Sequence, residues 1–223
     1  MNDDGCYMIG FSGIDGSGKS TQAQRLADWL AQAGADVFMT KSRPRAITSI
    51  FRLSEQLCGD PYAYHPAFPA TLREMLVASD VEGHQHHVLE PNRRRGRIIV
   101  TDRCKYCFET YAHAYGADMT WISKVYDIVR APDLIFLLDV PGDVAFGRLL
   151  QRSEKPPKSD ENPEFLETVR QHYLMRATLL SNLVIVDGED TADQIAASIL
   201  RYLAEHAPFP IDPAVLGQAE ALA

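Results

Sequence analysis

Several things are scarce or missing in this chain of 223 residues, and each absence narrows what it can be. No apolar run approaches the about 20 residues that a helix needs to cross a bilayer. The first residues, MNDDGCYM, are acidic and lack the basic and apolar regions of a signal peptide, so the expected location is cytoplasmic and no membrane is expected as a partner. Positive charge is in deficit: 22 Lys and Arg stand against 30 Asp and Glu, a net charge of -8. That balance argues against a nucleic acid polymer as a general partner, because a phosphate backbone rewards a basic surface. Local basic patches stay open. Cysteine is rare, with four residues, too few and too scattered for a disulfide framework in a cytoplasmic protein. Cys104 and Cys107 form a CxxC, but no second pair stands at zinc-site spacing. Internal repeats and low-complexity blocks are also missing. What remains, 46% hydrophobic and 23% charged, is enough to bury a sizeable core in one domain, with room for a small insertion.

The most informative stretch present is GFSGIDGSGKSTQ, Gly10 to Gln22. It contains Gly13-x-x-x-x-Gly18-Lys19-Ser20, after an apolar run (Tyr7 to Phe11) that reads as a strand and before a segment (Thr21 to Ala33) that reads as a helix. Gly13, Gly16 and Gly18 let the backbone turn sharply, so that successive N–H groups aim at phosphate oxygens, and the helix N-terminus adds partial positive charge. Lys19 supplies a compact cation for the outer phosphates, and Ser20 offers a hydroxyl to Mg²⁺. The loop from Gly13 through Asp15, Gly16, Ser17, Gly18, Lys19 and Ser20 to Thr21 is the candidate nucleotide-binding element, with ATP as the expected donor.

Downstream the chain alternates. Val37 to Thr40, Ile98 to Asp102, Leu134 to Val140 and Leu183 to Val186 read as short apolar strands, separated by helical stretches over about 47–57, 71–92, 106–115, 121–129, 143–152, 165–180 and 191–205. Buried strands separated by helices indicate an α/β protein with a parallel sheet wrapped on both faces. Ligands of such sheets bind beyond the carboxyl ends of the strands, which gathers Gly13 to Ser20, Thr40 to Arg45, Asp102-Arg103 and Asp139 into one crevice. The tail after Ala207 carries three prolines and is expected to be loosely attached, so the boundaries are a single domain over 1–206 and a tail over 207–223.

A phosphate loop names the donor and leaves the reaction open. Asp102-Arg103 narrows it: an aspartate ending a buried strand can hold Mg²⁺, and the arginine beside it presents a planar fork suited to a second phosphate, that of an acceptor. An Asp102 that merely caps the next helix is the alternative.

Taken together, GIDGSGKSTQ, the strand leading to Pro44-Arg45, strand-Asp102-Arg103, PDLIFLLDV followed by Arg148 and Arg152, FLETVRQHYLMRA and a final VDG resemble the thymidylate kinase family over nearly the whole chain up to about Glu205. That resemblance implies a three-layer P-loop kinase fold with a five-stranded parallel sheet, a homodimer, and transfer of the γ-phosphate of ATP to a nucleoside monophosphate with Mg²⁺. It implies that Asp15 holds the acceptor sugar and its phosphate region, that Arg45 and Arg103 bind the acceptor phosphate, that Tyr111 packs against the deoxyribose, and that 153–163 is a lid over ATP. Arg148 belongs with the donor site. Some relatives carry a catalytic arginine inside the phosphate loop; here that position is Gly16 or Ser17, so the lid is expected to supply the charge from Arg152, Lys155 or Lys158. Lys19, Asp102, Arg103 and Arg152 are thus the expected catalytic set, with Ser20 and Asp102 on the metal.

The departures are on the helix before the third strand. Relatives usually have an aromatic residue and an Asp-Arg there; this chain has MLVASDVEGHQHH, with Val77 at the aromatic position and Val81 at the arginine. A lost stacking ring and a lost bidentate donor weaken acceptor binding unless replaced. His84, Gln85, His86 or His87 could read a different base, and Lys41, Arg43 and Arg45 could carry more of the phosphate; a solvated helical face is the plainer reading of HQHH. Three functions are therefore open: a kinase of dTMP or a related pyrimidine deoxynucleotide, a P-loop kinase of another small molecule, and a nucleotide-binding regulatory protein.

Overall fold

The structure, a computed structural model, describes residues 5–43, 45–59, 68–152 and 161–222. Five strands, β1 (Tyr7–Ser12), β2 (Val37–Lys41), β3 (Ile98–Asp102), β4 (Leu134–Asp139) and β5 (Leu183–Asp187), form one sheet in the order β2-β3-β1-β4-β5 with every pairing parallel. The run Ile98 to Asp102 is buried at all five positions, and Leu134 to Leu138 likewise, as strands covered on both faces must be. Each parallel step needs a crossover helix. α1 (Lys19–Gln32) and α2 (Ala46–Cys58) follow β1 and β2; α3 (Ala70–His84) runs on through a π-helical turn, Gln85–Leu89, and a last turn, Glu90–Asn92, into β3. α4 (Lys105–Ala114) and α5 (Met119–Ile128) join β3 to β4, α6 (Gly142–Arg152) and α7 (Pro163–Ala177) join β4 to β5, and α8 (Ala192–His206) closes the sheet.

The period-2 alternation of the strands sorts the core. Leu134, Phe136 and Leu138 face one cluster with Leu26 and Leu30 of α1 and Leu200 and Leu203 of α8, while Leu137 faces the other with Leu166, Val169 and Tyr173 of α7. The chain leaves β1 for β2 on one side and leaves β3 for β4 on the other, so the topological switch point lies between the carboxyl ends of β1 and β3, where the phosphate loop is. α8 is fixed by a reciprocal cap: the Gln194 N–H donates to Thr191 Oγ1 at 3.2 Å, and the Thr191 N–H donates to Gln194 Oε1 at 3.1 Å.

The tail corrects the sequence reading. Residues Pro213–Leu222 form a ninth helix among the described residues, α9, with its proline at the first position, where a missing N–H costs nothing. Val215 is buried in the sheet-and-helix core, Ile211 and Leu216 pack against it, and the Phe209 ring meets Tyr7 edge-on at 5.4 Å. Prolines that suggested a loose segment instead set the corner before a docked helix. Val215→Asp should therefore cost about 3 kcal/mol, from lost burial and an unpaired carboxylate, and lower Tm by about 8 °C in thermal denaturation; an unchanged Tm would return the segment to the status of a loose tail.

Candidate active site

The loop after β1 is shaped by glycine where no other residue fits. Gly13 has φ 138° and a Cβ there would lie 2.6 Å from the Leu138 carbonyl oxygen; Gly16 has φ 88° and a Cβ there would run into the Ala145 backbone. An arginine at Gly16 is thus sterically excluded, and Ser17 beside it is fully buried, so the loop has no room for the in-loop arginine of some relatives. α1 starts at Lys19 behind Gly18, itself left-handed at φ 92°.

Lys19 folds back over its own loop, donating to the Ile14 carbonyl at 2.6 Å and lying 3.7 Å from Asp15 Oδ1. Burial, and then the neighbouring Arg103 guanidinium, pull its ammonium down to about 8, a cost that a polyanionic ligand would relieve. Arg103 is the one described non-glycine residue with positive φ, at 78°. Its carbonyl accepts from Thr101 Oγ1 at 2.7 Å and its N–H donates to the Phe11 carbonyl at 3.3 Å, which hold that strained turn in place. The turn aims the guanidinium at Asp15 Oδ1, with which it pairs. Burial alone would weaken this charge, but Asp15 outweighs it and Arg103 stays a cation. Tyr111, from α4, accepts from the Asp15 backbone N–H at 3.1 Å and so ties α4 to the loop.

One strand away, Asp102 is almost wholly buried at the end of β3. Its Oδ2 accepts from Ser20 at 2.5 Å and from Lys41, whose Nζ also donates to Ser20 Oγ at 2.7 Å. Burial pushes this carboxyl up, but the bonds from Lys41 and Ser20 prevail and hold it below the usual carboxylate range. Asp102 Oδ1, also buried, has no hydrogen-bond partner among the described residues.

These groups open on a crevice of about 370 Å³ lined by Asp15, Gly16, Gly18, Lys19, Ser20, Thr21, Lys41, Arg103, Arg148, Leu149 and Glu161. Four cations against two carboxylates line it, on a chain of net charge -8, so the positive potential is local and suits a small polyanion. Arg148 is held by donating to the Gly188 carbonyl at 2.8 Å. The structure thus brings together the loop, Asp102, Arg103, Tyr111 and Arg148. Arg45 is exposed at the start of α2 and does not line the crevice. The Arg152 side chain and residues 153–160, with Lys155 and Lys158, lie outside the described residues; of the expected lid, Glu161, Asn162 and Pro163 are described, and Asn162 caps α7. Asp139, at the end of β4, is committed to a two-pronged pair with Arg170 at 2.6 and 2.9 Å.

On α3, Val77 and Val81 are buried against Phe108 of α4 and Ile122 and Tyr126 of α5. Gln85 is turned inward: its amide donates to Glu90 and accepts from the Arg130 N–H at 3.3 Å, fixing the π turn. His86 and His87 are exposed, as a solvated face requires. His84 meets Thr40 Oγ1 at 3.2 Å and lines a small cavity of about 20 Å³ with Ser42, Val81 and Arg103. Sequence reasoning missed Leu149 and Glu161 in the crevice. Arg73, buried beside Glu74 and 4.2 Å over the Tyr115 ring, does not line the crevice.

Comparison with known proteins identifies the family. The family described as thymidylate kinase matches residues 11–199. A probable thymidylate kinase of Thermococcus onnurineus is 32% identical over 206 residues, 89% of this chain and 97% of that protein. A thymidylate kinase of Dinoroseobacter shibae is 30% identical over 204 residues, covering 88% and 95%, and a probable thymidylate kinase of Methanosphaera stadtmanae is 31% identical over 202 residues, covering 88% and 98%. With a family match over most of its length, a parallel P-loop sheet and a cationic crevice at the switch point, the chain belongs to the thymidylate kinase family, nucleoside monophosphate kinases that use ATP to convert dTMP to dTDP.

Proposed function

We propose that this crevice transfers the γ-phosphoryl group of ATP to the phosphate of dTMP or a closely related pyrimidine deoxynucleotide, with the donor on the Gly13–Ser20 loop and the acceptor phosphate on Arg103. The observation that carries this reading is that Lys19 and Arg103, cations suited to two different phosphates, share one crevice with Asp15 touching both. A hydrolase has no use for the second.

Lys19 swings from the Ile14 carbonyl to the outer phosphates, and the loop amides cradle the rest. Arg103 exchanges part of its pairing with Asp15 for two parallel bonds to the acceptor phosphate, which fixes one acceptor oxygen in line with the γ-phosphorus. That oxygen forms the new P–O bond while the bond to the β,γ-bridging oxygen breaks, and ADP leaves with the electron pair. No proton has to move, because the acceptor phosphate is already anionic. Tyr111, fixed by Asp15, walls the acceptor sugar, and Arg148 borders the donor; Arg45, which stands exposed at the start of α2, and Arg152 are the further cations that this reading assigns to the phosphates. The hard oxygens of Ser20 and Asp102, including the buried and unpartnered Oδ1, fit a Mg²⁺ ion, which would neutralise the triphosphate as charge shifts toward ADP.

Val77 and Val81 provide neither ring nor fork for the base, so base preference rests on the apolar wall they build with Phe108. We also propose a homodimer, supported by Leu53, Leu57, Leu72 and Leu76, which stand exposed on α2 and α3. A monomer at micromolar concentration in sedimentation velocity would refute it.

ATP consumption with Mg²⁺ and each nucleoside monophosphate in turn tests the central reading: fast ADP formation is expected with dTMP, and ADP formation independent of any acceptor would overturn it. Lys19→Ala should lower kcat about a thousandfold. Arg103→Ala should raise KM for dTMP by at least about tenfold while leaving KM for ATP within about twofold, as loss of a bidentate phosphate contact predicts. Equal losses toward both substrates would remove Arg103 from the acceptor side.

A further inference from the structure

We infer that Lys41 is a positioning residue that competes with a divalent cation for Ser20 and Asp102 in the nucleotide-free protein. This rests on the reading that Ser20 and Asp102 hold the metal. Lys41 ends β2, and the parallel register sets its Cα directly opposite that of Asp102. Its ammonium contacts both proposed ligands at once, Asp102 Oδ2 and, at 2.7 Å, Ser20 Oγ. The hydroxyl of Ser20 is meanwhile spent as a donor to the same carboxylate oxygen at 2.5 Å. One of the two lone pairs of Ser20 Oγ is therefore engaged by Lys41, and a metal that draws on the other lone pair and on Asp102 would lie against that ammonium and compete with it. A compact point charge with three donors suits such a bridge, and two cations held on the same few oxygens repel each other.

The arrangement has two consequences. Without metal, Lys41 keeps the buried Asp102 carboxylate compensated and its rotamer fixed, so the site is held in shape. With metal, the displaced ammonium sits on a flexible four-carbon stem whose residue lines the same crevice as Arg103, where it becomes available to phosphate. Metal loading thus releases a cation that was internally neutralised. The apparent metal affinity of the native chain is lowered by the fraction of molecules in which Lys41 holds the position.

Direct Mn²⁺ binding to the nucleotide-free full chain, read by the electron paramagnetic resonance of free Mn²⁺, tests this. Lys41→Met and Lys41→Gln should bind Mn²⁺ about tenfold more tightly than the wild type, as removal of an internal competitor predicts. Lys124→Met, the same charge change on the exposed face of α5, should match the wild type. Lys41→Met should also melt at a lower temperature without metal and recover more than the wild type when Mn²⁺ is added. Should Lys41→Met fail to fold, Lys41→Gln, which keeps a hydrogen-bond donor, carries the comparison. Mn²⁺ affinity that is equal in wild type and Lys41 variants overturns the inference. Asp102→Asn separates it from its foundation: loss of Mn²⁺ binding there leaves the metal ligands standing whatever Lys41 does, whereas retained binding overturns both.

Discussion

Like charges repel, yet the crevice of this protein is lined by four cations, and three of them, Lys19, Arg103 and Lys41, are compensated by a pair of carboxylates placed between them. Asp15 lies against Lys19 and Arg103, and Asp102 lies against Lys41 and the Ser20 hydroxyl. Each carboxylate is set by backbone rather than by its own flexibility: Asp15 by a loop whose glycines at 13 and 16 no side chain could replace, and Asp102 by the last pairing of a strand buried on both faces. Remove either and the cations lose their reason to converge. With both in place the site is charged, compensated and waiting for phosphate.

The fold supplies the convergence. Because β1 lies between β3 and β4, the loop after β1 and the Asp-Arg after β3 emerge side by side at the switch point, and the pairing of Phe11 with Asp102 brings them level. The strained turn at Arg103 then aims the guanidinium across to Asp15. Strain at that residue is held by Thr101 and Phe11, both of the sheet, so a rigid scaffold carries the cost of a half-buried functional side chain. α4 completes the frame through Tyr111, whose hydroxyl reaches the Asp15 amide.

How much of this could be read from the chain depends on the range of the interaction. Apolar runs such as IIVTD and LIFLLD announce doubly buried strands because each residue reports its own burial, and GSGKS announces a phosphate loop because its geometry is local. Strand-Asp102-Arg103 was legible for the same reason. Contacts that depend on register were not: nothing in the sequence says that Lys41 ends level with Asp102, or that Phe108 fills the wall beside Val77 and Val81. Composition misled at the C-terminus, where three prolines suggested a loose tail while Phe209, Ile211 and Val215 carried the packing. Gln85 was a plausible reader of a base until the π turn rotated its amide onto Glu90 and the Arg130 backbone.

The proposed end-to-end placement of donor and acceptor phosphates makes one demand that no single-substrate site makes. The most direct measurement is the equilibrium binding of adenosine and thymidine joined 5′ to 5′ through five phosphates, compared with ATP and dTMP alone. Joining the two ligands makes the second binding event intramolecular, so the joined molecule should bind at least about a hundredfold more tightly than either nucleotide. Affinity no better than that of ATP would mean that the two phosphates do not share one line through Lys19 and Arg103.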